Sequence, residues 1–319
     1  MSKEYKGNII KSDPNENLTA ENFRPVKCRK EGYVAARRKK GKRCSTGLLA
    51  LDNVLNGGLR NELHIMGAES STGKSALMIS LAQNLAIQNV NALYFSLEMS
   101  IDAIITRGVC EISFLAHRKD KRHQQMTTDD ILFWKFDTSE KDYVGIPYEV
   151  YQEYVEHYFE KYGDHLYVFD YSRTGISARK IEEITERFIK THPGEKTVVF
   201  VDYLQILKAD KRDGASSDRK TVMDTAVTIL ESLACQSGVP VFTASSVGRS
   251  QYSSQISTGS MKESGNIEYS AGVLIGYNWI GVNDTKDAER QEREIALCDK
   301  RGYRKIEFHI LKNRDSKTG

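Results

Sequence analysis

The chain is predicted to fold as an α/β domain, a mostly parallel sheet wrapped by helices, and three observations carry that prediction. Apolar runs at 63–66, 91–96, 165–170, 197–201, 239–244 and 271–277 have the length and composition of buried strands. Stretches of helical periodicity at 74–88, 177–191 and 218–236 fall between them, so strand and helix alternate as a parallel topology requires. The first strand and the first long helix are joined by Ala68-Glu69-Ser70-Ser71-Thr72-Gly73-Lys74-Ser75, the setting in which a phosphate-binding loop works.

Residues 1–45 read as a polar, partly disordered leader. Asp13-Pro14-Asn15 is a turn signal, and only Leu18 to Phe23 suits a short helix. Residues 24–43 hold ten Lys/Arg against Glu31, a local charge of +9 that leaves −6 for the rest of a chain whose net charge is +3. Such a basic arm suits the phosphate backbone of nucleic acid, and it suits a solvated linker equally well. The N-terminus has no apolar signal segment, and no apolar stretch approaches the ~20 residues needed to span a bilayer. A cytoplasmic location without membrane contact is therefore expected. Cys28, Cys44, Cys110, Cys235 and Cys298 are scattered and lack Cys-x-x-Cys spacing, which argues against a disulfide framework or a zinc site. With 39% hydrophobic and 28% charged residues, the chain has enough apolar material for one large domain, expected over 46–319.

The loop at 68–75 follows the apolar strand Leu63 to Met66 and precedes a helix with Leu77, Leu81 and Leu85 on one face. Backbone N–H groups at such a helix start converge on phosphate oxygens and add the positive end of the helix dipole. The residues expected to cradle a nucleoside triphosphate are Ala68, Ser70, Ser71, Thr72, Gly73, Lys74, Ser75 and Ala76. Gly73 permits close backbone approach, Lys74 reaches the β- and γ-phosphates, and the Ser75 hydroxyl holds the bridging Mg2+. Ala68 stands where a glycine is usual, with Gly67 one residue ahead, a departure of one methyl group.

Further along, 110–164 is rich in charge and aromatics and reads as a helical insertion, its Tyr148, Tyr151, Tyr154 and Tyr158 at helical spacing for packing. The run Thr197 to Val201 is wholly apolar and ends in Asp202, as a buried strand ends when it delivers a carboxylate to a metal. Asp202 is the second expected Mg2+ anchor. A Gly/Ser-rich turn or a strand-terminal Asp arises easily by chance, whereas the two together rarely do.

Between these two motifs lies Tyr94-Phe95-Ser96-Leu97-Glu98-Met99-Ser100, and after them Val201-Asp202-Tyr203-Leu204-Gln205. With Ser45-Thr46-Gly47, Leu51-Asp52, Gly57-Gly58-Leu59, Gly238-Val239-Pro240-Val241, Lys262-Glu263-Ser264-Gly265-Asn266-Ile267-Glu268 and Lys312-Asn313-Arg314, the chain resembles the replicative DNA helicases of the DnaB family. The resemblance covers most of 46–314 and implies a RecA-like P-loop NTPase fold that binds ATP and Mg2+. It implies that Glu98 is the catalytic glutamate, which orients the attacking water and accepts its proton. It also implies that Lys312 and Arg314 reach the γ-phosphate of a neighbouring subunit in a hexameric ring, and that Lys262, Glu263 and Gly265 face single-stranded DNA. Arg249 is a weaker DNA contact, as are Lys211 and Arg212. Partners implied are single-stranded DNA, further copies of the chain, and a primase or helicase loader.

Two departures qualify the match. The family glutamine after the Val-Pro-Val strand corresponds to Ser246, which reaches less far, and Tyr269-Ser270-Ala271-Gly272 stands where acidic residues are usual. The expected function is an ATP-dependent DNA helicase or translocase. The alternatives are a RecA-like recombination or repair ATPase, and a nucleotide-gated DNA-binding or loader module with little turnover. The family's N-terminal helical domain is not expected within residues 1–45, which are too short for it.

Overall fold

The computed structural model describes residues 30, 31, 34, 43–133, 147–213, 218–248, 255–261, 265–301 and 303–314. The chain divides into two units, Met1–Arg43 and Cys44–Gly319. Most of the basic leader lies outside the described residues, and the elements below belong to the second unit.

Seven strands form one sheet: β1 (Leu63–Ala68), β2 (Asn91–Ser96), β3 (Leu166–Asp170), β4 (Thr197–Asp202), β5 (Val241–Ser246), β6 (Val273–Trp279) and β7 (Ile306–Asn313). Their order is β3-β2-β4-β5-β1-β6-β7. Every pairing is parallel except β6 with β7. This is the predicted mostly parallel sheet flanked by helices. The helices are α1 (Leu49–Val54), α2 (Lys74–Ile87), α3 (Ile101–Lys119), α4 (Thr128–Leu132), α5 (Tyr148–Tyr162), α6 (Ala178–Thr191), α7 (Arg219–Ser237), α8 (Gly265–Ser270) and α9 (Ala288–Arg301).

Strand side chains alternate across the sheet, so each apolar run feeds two cores. Leu63, Ile65, Phe95, Val199 and Val201 face α6 and α7, which contribute Ile181, Val227 and Leu230. Met66, Ala68, Tyr94, Val198 and Phe200 face the other way, onto Met78, Leu81 and Leu85 of α2 and Leu51 of α1. Burying each such aliphatic side chain contributes about 1.5–3 kcal/mol before conformational entropy is subtracted. In the 110–164 region Tyr154, Tyr158 and Tyr162 are buried at successive turns of α5 against Val109 and Ile112 of α3, Tyr151 is partly buried beside them, and Tyr148, expected to pack, is exposed. Gly108 is required there, because a methyl group at its Cα would collide with the Tyr158 ring.

Two strands begin two residues later than the apolar runs suggest. Pro240 has no N–H to give a ladder and Gly238 closes α7 in the left-handed region at φ +65°, so β5 starts at Val241. Gly272 is crowded by the Glu62 side chain, and β6 starts just after it. Helix α9 has no counterpart among the predicted elements, since its Ile295 and Leu297 are exposed and leave little apolar periodicity to read.

Candidate functional site

The carboxyl ends of four parallel strands meet at one sheet edge. Ala68 of β1 pairs with Ser246 of β5, and Ser96 of β2 pairs with Asp202 of β4. Ligands of open α/β sheets bind outside such strand ends. A cleft of about 430 Å³ opens there, lined by Ser70, Ser71, Gly73, Lys74, Ser75 and Ala76 together with Glu98, Arg107, Tyr203 and Ser246.

The loop owes its shape to two residues. Gly73 caps α2 at φ +99° and ψ 24°, a left-handed conformation that an L side chain adopts only at a cost of about 1–2 kcal/mol. Ser71 is also left-handed, at φ +63°. Ala68, by contrast, is the last residue of β1 in ordinary extended pairing, so its methyl group is accommodated in the core. Gly67 is the tighter position, because the end of the Met261 side chain occupies the space its Cβ would take and would have to shift. No side chain caps the start of α2, which leaves its first N–H groups for a ligand.

Lys74 is buried and turns back into the loop, donating to the Glu69 carbonyl at 2.7 Å and to the Ala68 carbonyl at 3.4 Å. Thr72 donates from its hydroxyl to the same Glu69 carbonyl at 2.8 Å. Asp202 is 1% exposed and its Oδ2 accepts from the Tyr94 hydroxyl at 2.7 Å. The Ser75 hydroxyl is near enough to favour the ionised carboxyl, yet Oδ1 makes no hydrogen bond of ordinary geometry. Burial holds Asp202 above the usual carboxylate range despite Tyr94, Ser75, Lys74 and Arg107. Burial likewise pushes Lys74 down despite Asp202, Glu98 and Glu69. Both charged forms are therefore disfavoured as they stand, and a polyphosphate beside the ammonium with a cation beside the carboxylate would relieve both. Oδ1 and the nearby Ser75 hydroxyl are hard oxygen donors of the kind that suits Mg2+.

Glu98 is exposed at the cleft wall, directly after β2. Its segment is fixed at several points. Leu97 N–H donates to the Asp202 carbonyl at 3.1 Å, Ser96 Oγ donates to the Met99 carbonyl at 2.5 Å, and Ser100 caps α3. Asp170, at the end of β3, accepts from the Ile101 N–H at 3.0 Å.

Lys74, Ser75, Glu98 and Asp202 are thus brought together. Lys312, in β7, and Arg314, just past it, are not at this cleft. Lys312 Nζ donates to the Glu268 and Tyr269 carbonyls, while Arg314 donates to the Tyr269 carbonyl at 2.6 Å and pairs with Glu231 at 3.2 Å. The carbonyls at the end of α8 lack helical partners, and these two cations satisfy them. Gly265 begins α8. Arg249, Lys262 and Glu263 lie outside the described residues. Arg212 is engaged by Asp210 at 2.8 Å and by Glu183 at 2.5 Å, and Lys211 is exposed.

Three contributors escaped the sequence reading. Arg107 reaches the cleft from α3, Tyr203 lines it just past β4, and Tyr94 supports Asp202 from beneath. The tyrosine hydroxyl inside an otherwise apolar run was the available signal, since a buried hydroxyl needs a partner.

A family model for the DnaB-like helicase C-terminal domain matches residues 44–319. The replicative DNA helicase DnaB of Treponema pallidum is 26% identical over 259 residues, covering 81% of this chain and 51% of that protein. DnaB of Geobacillus stearothermophilus is 27% identical over 278 residues, covering 86% and 52%. The chain therefore spans about half the length of the curated relatives it matches. Among solved structures, one ATPase domain superposes with a TM-score of 0.67 at 20% identity, covering 92% of each chain. A DnaB-like replicative helicase whose interactions with primase were described gives 0.68 at 20% identity, over 94% of this chain and 65% of that one. At that identity the two structures speak for the fold.

Proposed function

The chain belongs to the DnaB-like helicase C-terminal domain family, and from that premise we propose that it is an ATP-driven motor acting on single-stranded DNA in replication. The observation that carries the proposal is the meeting of a buried Lys74, the Ser75–Asp202 oxygen pair and Glu98 around one cleft at the strand ends.

In this reading the N–H groups opening α2 and the Lys74 ammonium hold the β- and γ-phosphates, and Arg107 adds positive charge from α3. Ser75 and Asp202 would hold Mg2+, which when bound neutralises charge across the β- and γ-oxygens. Glu98 orients a water on the γ-phosphorus and accepts its proton as the bond to the ADP oxygen breaks. Lys312 and Arg314 serve the cleft of a neighbouring copy, where an arginine acting in trans is worth about 10³–10⁵ in rate. That role requires them to leave the α8 carbonyls, and it requires an assembled ring, proposed as a hexamer. Arg249, Lys262, Glu263 and Gly265 are the proposed contacts to the DNA strand, and a primase or helicase loader is the expected protein partner.

The test combines nucleotide binding, hydrolysis with and without single-stranded DNA, and strand displacement on a forked duplex. Lys74→Ala is expected to abolish binding, and Glu98→Gln to bind normally without hydrolysing. Normal hydrolysis by Glu98→Gln would remove the catalytic assignment. Ser246 in the cleft favours one second reading, a nucleotide-gated DNA-binding module with little turnover. DNA stimulation absent in the natural chain and gained in Ser246→Gln would support it.

A further inference from the structure

The end of β5 is completed by a side chain rather than by a strand. The β4–β5 ladder runs from Val199↔Val241 to Val201↔Thr243 and stops, so Ser245 and Ser246 have no strand on that side. Gln205, in the 3₁₀ turn Leu204–Ile206 after β4, takes that position instead. Its Oε1 accepts from the Ser246 N–H at 3.1 Å, and its Nε2 donates to the Ser246 carbonyl at 3.0 Å and to the Ser245 hydroxyl at 2.9 Å. The carboxamide thereby imitates a peptide group, offering donor and acceptor in the arrangement a neighbouring strand would supply. Only one orientation of the amide satisfies all three bonds. On its other side β5 is tied to the phosphate loop, with Ser246 paired to Ala68 and the Val247 N–H donating to the Ala68 carbonyl at 3.2 Å.

Ser246 is the β5 residue that lines the cleft, together with Lys74 and Glu98. Two residues beyond it the chain enters the segment containing Arg249. The Gln205 carbonyl in turn accepts from Arg219, on the first turn of α7, at 3.2 Å. The carboxamide therefore fixes the backbone of Ser246, a residue that lines the cleft.

We propose that Gln205 is a positioning residue for ATP hydrolysis, holding the Ser246 hydroxyl against the γ-phosphate end of the cleft. The proposal rests on the nucleotide-site reading above. It assigns the role to the Gln205–Ser246 pair as a unit, so the two side chains must fail together. Gln205→Met keeps the length of the side chain and removes both hydrogen-bonding functions. Gln205→Glu keeps the acceptor but sets a carboxylate oxygen against the Ser246 carbonyl.

The experiment uses the full chain with Mg2+ and single-stranded DNA. Steady-state hydrolysis, the Kd of a fluorescent non-hydrolysable ATP analogue and thermal melting are measured for the natural chain, Gln205→Met, Gln205→Glu, Ser246→Ala and the Gln205→Met/Ser246→Ala double variant. Each single variant is expected to lower kcat about tenfold with KM and analogue Kd changed no more than about twofold, the pattern of a group acting in the transition state. The double variant should be no slower than the slower single, because coupled residues do not add. Unchanged kcat in Gln205→Met, losses that multiply in the double variant, or a kcat loss matched by loss of folded protein would each overturn the proposal. Lys74→Ala separates the two levels. If the natural chain fails to bind the analogue, or Lys74→Ala binds it equally well, the nucleotide-site reading falls and this proposal with it. If binding depends on Lys74 while Gln205 variants turn over normally, the positioning role alone is wrong.

Discussion

Tyr94→Phe deletes a single oxygen from beneath the cleft, and its consequences follow from the geometry of Asp202. The tyrosine ring packs in the core and stacks on Phe200 with centroids 6.1 Å apart, contacts that phenylalanine keeps. What is lost is the 2.7 Å donation to Asp202 Oδ2, made to a carboxyl that is 1% exposed and whose Oδ1 makes no hydrogen bond of ordinary geometry. A hydrogen bond to a charged group contributes about 1.5–3 kcal/mol, so a loss of about 2 kcal/mol is expected at neutral pH. The pH dependence gives the argument its second edge. Burial raises the Asp202 pKa, so the carboxyl favours the folded state at low pH and that contribution is lost as pH rises through its folded value. The Tyr94 bond opposes that rise, and removing it moves the folded value higher still. The penalty should therefore be full above the Asp202 titration and shrink as the pH falls through it, where a neutral carboxyl needs no donor. Urea denaturation of Tyr94→Phe, Asp202→Asn and the double variant at neutral and acid pH measures both the size and the coupling. A penalty under about 0.5 kcal/mol at pH 7, or one that grows on acidification, would refute the electrostatic account.

Further expectations concern other regions. His64 is fully buried on β1 and pushed down to about 4 from 6.5 chiefly by desolvation, so it folds neutral. Its contribution is present above pH 6.5 and lost as the pH falls toward 4, up to about 3 kcal/mol, and His64→Leu should flatten the acid limb of a stability–pH curve. An unchanged slope in that variant would assign the acid sensitivity elsewhere. Arg314→Ala should lose hydrolysis alone yet recover activity when mixed with Glu98→Gln subunits, because active interfaces then borrow groups from different chains. Absence of recovery at every mixing ratio would argue against catalysis in trans.

The residues that the chain announces are those whose chemistry is local. In the proposed nucleotide site, Gly73, Lys74 and Ser75 must be adjacent because one turn of backbone and the first residues of one helix would hold the phosphates, and Asp202 must follow an apolar run because its strand is buried. An unbroken apolar run likewise exposes a strand such as Thr197–Asp202, since a strand buried on both faces has few polar positions to spare. Arg107, Tyr94 and Gln205 are of another kind. Their own neighbourhoods do not show what they act on, because the partner lies far away in the chain: Tyr94 acts on Asp202, and Gln205 on Ser246. Lys312 and Arg314 show the same limit from the opposite side, for the β7 pattern brings them to one end of a strand but cannot foresee that unpaired α8 carbonyls wait beside them. Short-range spacing specifies which groups can perform the chemistry. Which groups surround them depends on the strand order β3-β2-β4-β5-β1, a matter of long-range pairing and core packing that leaves no local trace.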